Sequence, residues 1–169
     1  MNKFFTMLSV LVLAVAAMAA TPVNNDTYSA EFNGAVSQST DTNPTNVTYD
    51  AFSSDGTFWE SIGYRVVDHD IAPTTQSSDF YLDENVKEVG GTLTVTSRDV
   101  YQGLPFTYGY FKYTTKEGVN MVRRERFIIK NSREVFFVEM VYPASLDAND
   151  GGDATHDVWQ TFENTLVIK

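Results

Sequence analysis

The segment Arg133–Pro143, REVFFVEMVYP, constrains the fold more than any other stretch of the chain. Its β-branched and aromatic content reads as a strand. Phe136, Val138, Met140 and Tyr142 fall on one face, and Val135, Phe137 and Val141 on the other, with Glu139 between them. A strand that is apolar on both sides belongs inside a sheet covered on both faces.

Three strand candidates lead into it: TLTVTSRDVYQ (92–102), PFTYGYFKYTT (105–115) and VNMVRRERFIIK (119–130). Gly103-Leu104-Pro105, Lys116-Glu117-Gly118 and Asn131-Ser132 separate them, and such short connections predict an antiparallel meander. Upstream, Tyr28, Ala30 and Phe32 share one side of a short strand, and Asn33-Gly34 after it is a hairpin signal. VTYDAF (47–52) and TFWESIGYRVV (57–67) are further strands. In the second, Phe58, Ile62, Tyr64 and Val66 share a face, with Glu60 as the exception.

The period changes twice. Leu82, Val86 and Val89 make a helical stripe, predicting a helix over Asp79–Val89, capped by Ser78 or Asp79 and stopped at Gly90-Gly91. Ala154, Val158 and Phe162, with Trp159 beside them, predict a last helix ending near Asn164, before the extended LVIK. The expected fold class is α+β, a central antiparallel sheet with a helix on each face. Because strands outnumber helices, a β-barrel-like carrier of a small apolar molecule is the alternative.

Residues 1–20 have the layout of a signal peptide: Lys3, an apolar run from Met7 to Ala17, and small residues at Ala17-Met18-Ala19. The run is too short to span a bilayer and no basic residues follow it. The expectation is therefore an exported product of bacterial type, periplasmic or extracellular, with residues 21–169 as a single secreted domain and no membrane span after cleavage. The chain has no Cys, which excludes disulfides, thiolate metal sites and a cysteine nucleophile. Its 22 acidic side chains against 12 basic ones, a formal charge of −10, argue against a nucleic-acid partner.

Four groups of residues carry candidate chemistry. Asp68-His69-Asp70 combines two carboxylates and an imidazole, the donor types of a Zn²⁺ or Ca²⁺ site, or a polar strand exit. His69 with nearby carboxylates is also the basis for an alternative reading as a small secreted hydrolase. DANDGGD (147–153) has the composition of a Ca²⁺ loop without the EF-hand order. Arg124 and Arg126 share a strand face and could clamp a carboxylate or phosphate, or pair with neighbouring acids. Tyr108 and Tyr110, amid Tyr101, Phe106, Phe111 and Tyr113, could line a ligand groove or form a cross-strand ladder. There is no G-x-S-x-G, dinucleotide or phosphate-loop motif, and no cofactor is expected.

The tail, RFIIKNSREVFFVEMVYPASL (126–146) followed by DATHDVWQTFENTLVI (153–168), resembles the closing section of PsbP-like domains, a family sharing a three-layer α-β-α sandwich with a Ran-binding nuclear import factor. Arg126, Phe127, Phe136, Val138, Pro143, Phe162, Leu166 and Ile168 carry the resemblance. It implies a non-enzymatic binding or accessory domain that engages a protein partner or a small ligand.

Overall fold

The computed structural model describes residues 20–40, 47–52, 57–147, 158–160 and 163–169. Its strands are β1 (Thr21–Asn24), β2 (Tyr28–Phe32), β3 (Ala35–Thr40), β4 (Val47–Phe52), β5 (Trp59–Val66), β6 (Thr92–Tyr101), β7 (Leu104–Thr114), β8 (Asn120–Ile129), β9 (Glu134–Pro143) and β10 (Val167–Ile168). One helix, α1 (Thr75–Glu88), joins β5 to β6, and residues 158–160 and 163–165 are helical.

β9 is an interior strand, as its two apolar faces require. The large sheet runs β3-β4-β5-β9-β8-β7-β6 and is antiparallel throughout. The predicted meander is β6–β9. β3 and β6 end the sheet without pairing to each other, so it is open, which corrects the barrel alternative. β5 returns to pair with β9, so the sheet grows outward on both sides of β9 instead of closing.

Each face of β9 packs into its own core. Phe136, Val138, Met140 and Tyr142 meet Ile62, Phe106, Tyr110, Val122 and Ile128 from the neighbouring strands. A small sheet, β1-β2-β10, covers this core: Tyr28, Ala30 and Phe32 are buried in it together with Trp159 and Leu166. On the opposite face Val135 packs with Phe111, Phe127, Ile129 and Leu82 of α1. The cover expected from helices alone is thus shared with strands on the first face. The expected Ala154 and Phe162 of the last helical stripe lie outside the described residues.

Three local expectations are corrected. Asn33-Gly34 is not a hairpin: β2 pairs with β1 and β10, while β3 pairs with β4, so the dipeptide is a corner between two sheets. Glu60, the exception on its strand face, holds that corner. It is 2% exposed and accepts hydrogen bonds from the Asn33 backbone at 2.8 Å and the Asn33 side chain at 2.6 Å. α1 begins at Thr75 with Thr74 as its cap, four residues before the predicted start. Ser78 is then inside the helix and fully buried, its hydroxyl 2.7 Å from that of Thr107. The turn between β6 and β7 is Gln102-Gly103, both at positive φ (52° and 81°), so Gln102 leaves the first strand and Leu104 joins β7. Gln102 uses this strained position to clamp the C-terminus: its side chain donates to Leu166 O at 3.0 Å and accepts from Ile168 N at 3.1 Å.

Phe136 is fully enclosed, with Tyr64 at 5.0 Å and Tyr28 at 6.2 Å between ring centroids. Phe136→Ala is expected to lower unfolding free energy by about 3–5 kcal/mol in urea titration, with the slope against denaturant unchanged.

Candidate functional site

α1 crosses β7 and β8 and grazes β6, leaving β9 and β5 beside it on the same face. Its position is fixed by close approach. Leu82 sits against Gly109 of β7, where any Cβ would collide with the leucine side chain. At the helix start, Asp79 accepts from Thr107 at 2.7 Å and pairs with Arg98 of β6 at 2.9 Å. Tyr81 stacks on Phe127 of β8, centroids 6.2 Å apart and planes 17° from parallel.

Beside the helix lies a half-open cavity of about 280 Å³. One wall is a second stripe of α1, Tyr81, Asn85 and Glu88 at i, i+4 and i+7, with Glu84 adjoining. The floor is the odd-numbered face of three strands: Arg65 of β5, Val135, Phe137 and Glu139 of β9, and Arg123 and Phe127 of β8. Phe137 lies flat across β5 because its cross-strand partner is Gly63; a Cβ there would strike the ring. Phe137 and Phe127, also cross-strand partners, have centroids 6.3 Å apart. The middle of the cavity is therefore an aromatic floor.

One end of the cavity is charged, and its charged groups are tied to one another. Glu125 and Glu139 face each other across β8 and β9, and Ser61 faces Glu139 from β5. Arg123 bridges both carboxylates, with Nε 2.9 Å from Glu125 Oε1 and 2.9 Å from Glu139 Oε2. Ser61 Oγ donates to Glu139 at 2.6 Å, and Asn85 of α1 donates to Glu125 Oε1. Glu125 Oε2 is buried and accepts no hydrogen bond among the described residues. Burial pushes the Glu125 carboxyl well above 4.5; the Arg123 charge opposes this and Glu139 adds to it. Burial also works to lower Arg123, but the two glutamates outweigh it and raise its pKa.

The other end carries Arg65. It is exposed and makes no ion pair among the described residues. It is the cross-strand partner of Val135 and stands two residues beyond Gly63 on the same strand face. Glu88, at the end of α1, likewise has no ion pair among the described residues, whereas Glu84 is paired with Lys87 at 3.0 Å.

The aromatic and arginine candidates from the sequence lie on the opposite face, and the register brings all four together: Tyr108 faces Arg126 and Tyr110 faces Arg124 across β7 and β8. They are occupied within the fold. Arg124 is 5% exposed, donates to Tyr142 Oη at 3.0 Å and lies 5.6 Å from the Tyr110 ring. Arg126 pairs with Glu163 and lies 4.2 Å from the Phe106 ring; burial lowers its pKa to about 10, so it stays charged at neutral pH. Tyr108 packs on Trp159 at 5.9 Å. Asp147, the first residue of the DANDGGD loop, gathers Tyr110, Tyr142 (3.1 Å) and Lys112 (3.3 Å). Burial works to raise this carboxyl, but those hydrogen bonds outweigh it and hold it below 3.8. The rest of that loop, and His156, lie outside the described residues.

Asp68, His69 and Asp70 are exposed after β5. His69 Nδ1 is 2.8 Å from Asp68, while Asp70 turns to Arg133 at 2.6 Å. Among the described residues no group of three or more His, Asp or Glu side chains is placed to hold a metal ion. Nor is any helix among them long and apolar enough to cross a membrane. The cavity was missed in the sequence because its parts lie on three strands and a helix. The signals for it were Gly63 opposite a phenylalanine and the Tyr81-Asn85-Glu88 spacing.

The arrangement is that of the PsbP-like fold. A cyanobacterial PsbP from Synechocystis aligns over 92% of this chain and 96% of its own, with a TM-score of 0.62 and 8% identity. The Ran-binding protein Mog1p of Saccharomyces cerevisiae aligns over 89% and 96%, with a TM-score of 0.54 and 15% identity. A Pseudomonas aeruginosa protein of unknown function, PA94, aligns over 89% and 97%, also at 0.54, with 13% identity. No protein-family model matches the sequence, and no curated protein matches it either.

Two outcomes follow for the site. Gly63→Ala should cost about 1–3 kcal/mol by overpacking Phe137. In a Phe137→Ala background the same change should cost less, with a coupling on the order of 1 kcal/mol in a double-mutant cycle. For Glu125, a folded pKa above the unfolded value means that the native state binds the extra proton. Its stabilising contribution is therefore full below about 4.5 and is lost as pH rises through the folded pKa. Thermal melts should show wild type losing stability relative to Glu125→Gln across that rise.

Proposed function

We propose that the chain is a secreted, non-enzymatic binding or accessory domain, and that its binding site is the cavity beside α1. The observation that carries this reading is a half-open cavity with Phe127 and Phe137 on its floor and a charged network at one end. Its lining combines aromatic side chains with charged and amide groups that can fix a ligand's orientation. Most of the molecule's other concentrated charge, around Arg124, Arg126 and Asp147, is spent on internal contacts.

The finer architecture belongs to the same proposal: a three-layer α-β-α sandwich with α1 on one side and the helical residues 158–160 and 163–165 on the other. Trp159 and Val158, both packed against the core opposite α1, support that layering. The PsbP-like fold supports an accessory role by analogy alone. Export, with residues 1–20 removed and the product periplasmic or extracellular, rests on the composition of the leader.

Native mass spectrometry of the protein recovered from its own host checks both parts. The expected result is a mature chain lacking its first 19 or 20 residues in the exported fraction, carrying a small-molecule or protein adduct. Full-length protein confined to the cytoplasm would reject export; an unliganded mass at every stage of gentle purification would reject the binding role.

A further inference from the structure

We infer that the cavity beside α1 takes a small aromatic monocarboxylate, with its carboxylate on Arg65 and its ring on Phe137. This deepens the binding proposal above and rests on it. The inference starts from a charge left without an ion pair among the described residues. Arg123 and Glu139 line the cavity but are engaged with each other and with Glu125 and Ser61. Arg65 lines it too, yet is exposed and has no ion pair among the described residues. A guanidinium presents a planar fork matched to a carboxylate.

Spacing fixes the ligand's body. Arg65 and Gly63 are two residues apart on one strand face, about 7 Å along the strand. The Phe137 ring lies on Gly63, so a flat group reaching the ring and an anion reaching Arg65 must be joined by a short linker. Tyr81 closes the same end from the helix, stacked on Phe127, and lies near enough to Arg65 to feel its charge. The volume, about 280 Å³, suits a single ring with a short side chain.

The far end sets direction. Glu84 and Glu88 stand on the helix wall there, and Glu139 on the floor. Arg123 at that end is already engaged by Glu125 and Glu139 and offers a second anion no free cation, whereas Glu88, without an ion pair among the described residues, can accept from a hydroxyl. The carboxylate is thus directed to Arg65, and a donor on the opposite ring edge is favoured.

The test titrates the full mature chain with para-hydroxyphenylacetate, phenylacetate, tyramine and acetate, following backbone amide NMR shifts at Tyr81, Phe127 and Phe137. The aryl acetates should bind, the hydroxylated one more tightly, with tyramine and acetate weaker by about tenfold or more. Arg65→Gln, at an exposed position, should keep the fold and its melting temperature while weakening both aryl acetates about tenfold and sparing tyramine. Tyramine binding as tightly as para-hydroxyphenylacetate, or aryl-acetate affinity unmoved by Arg65→Gln, would overturn the ligand class while leaving the cavity as a binding site. A carboxylate-free fragment set run alongside separates the two failures. Shifts from those fragments but none from the aryl acetates overturn the ligand class, and silence from every compound overturns the binding proposal as well.

Discussion

The rest of the structure depends on the burial of β9 on both faces. An interior strand of this kind stabilises only if each side is covered, and the two covers here differ in extent. Opposite α1, the small sheet, Trp159 and Leu166 complete a broad core that takes in Phe106 and Tyr110 of β7 and Ile62 of β5. On the α1 side a single helix rides over β7 and β8, and the strands beside it are only part covered. A helix about 10 Å across cannot roof a seven-stranded sheet whose strands lie about 4.8 Å apart. The cavity is the geometric remainder of that mismatch.

Buried charge marks the places where the apolar pattern breaks. Glu60 interrupts an apolar strand face and binds the corner that passes from the small sheet to the large one. Glu139 interrupts β9, and it sits in a row with Ser61 and Glu125 that Arg123 ties together. Asp147 ends the short turn after β9 and collects two tyrosine hydroxyls and a lysine. Each of these acids is buried or half-buried and hydrogen-bonded, as removal of a carboxylate from water requires. Removing one partner from such a cluster is costlier than never having built it. These residues are therefore read more naturally as fasteners between elements than as reactive groups.

What was legible in the sequence follows the range of the interactions involved. The strand character of 134–143, the meander before it and the helix after Pro73 rest on periodicity within one segment, and they are in place. The helix start was misjudged because Ser78 and Asp79 look like caps; Thr74 caps instead, freeing Ser78 and Asp79 to bind Thr107. Asn33-Gly34 has hairpin chemistry, but the buried Glu60 sends the chain to another sheet, which no local signal records. Tyr108, Tyr110, Arg124 and Arg126 were read as sharing faces, and the register does bring them together. Their enclosure beneath Trp159 and beside Glu163 depends on residues at the far end of the chain.

Two glycines illustrate how fold and site are separated in this chain. Gly109 admits Leu82 and so sets how closely α1 approaches the sheet; its effect is on the core. Gly63 admits the Phe137 ring and so sets the depth of the cavity floor next to an open edge of the helix. A larger residue at 63 would collide with the ring, so the close approach of β5 and the Phe137 side chain requires glycine there. The ring shares its cavity with Arg65, which has no ion pair among the described residues. The two glycines thus act separately, one setting the distance of the helix from the sheet and the other the position of a ring beside the half-open cavity.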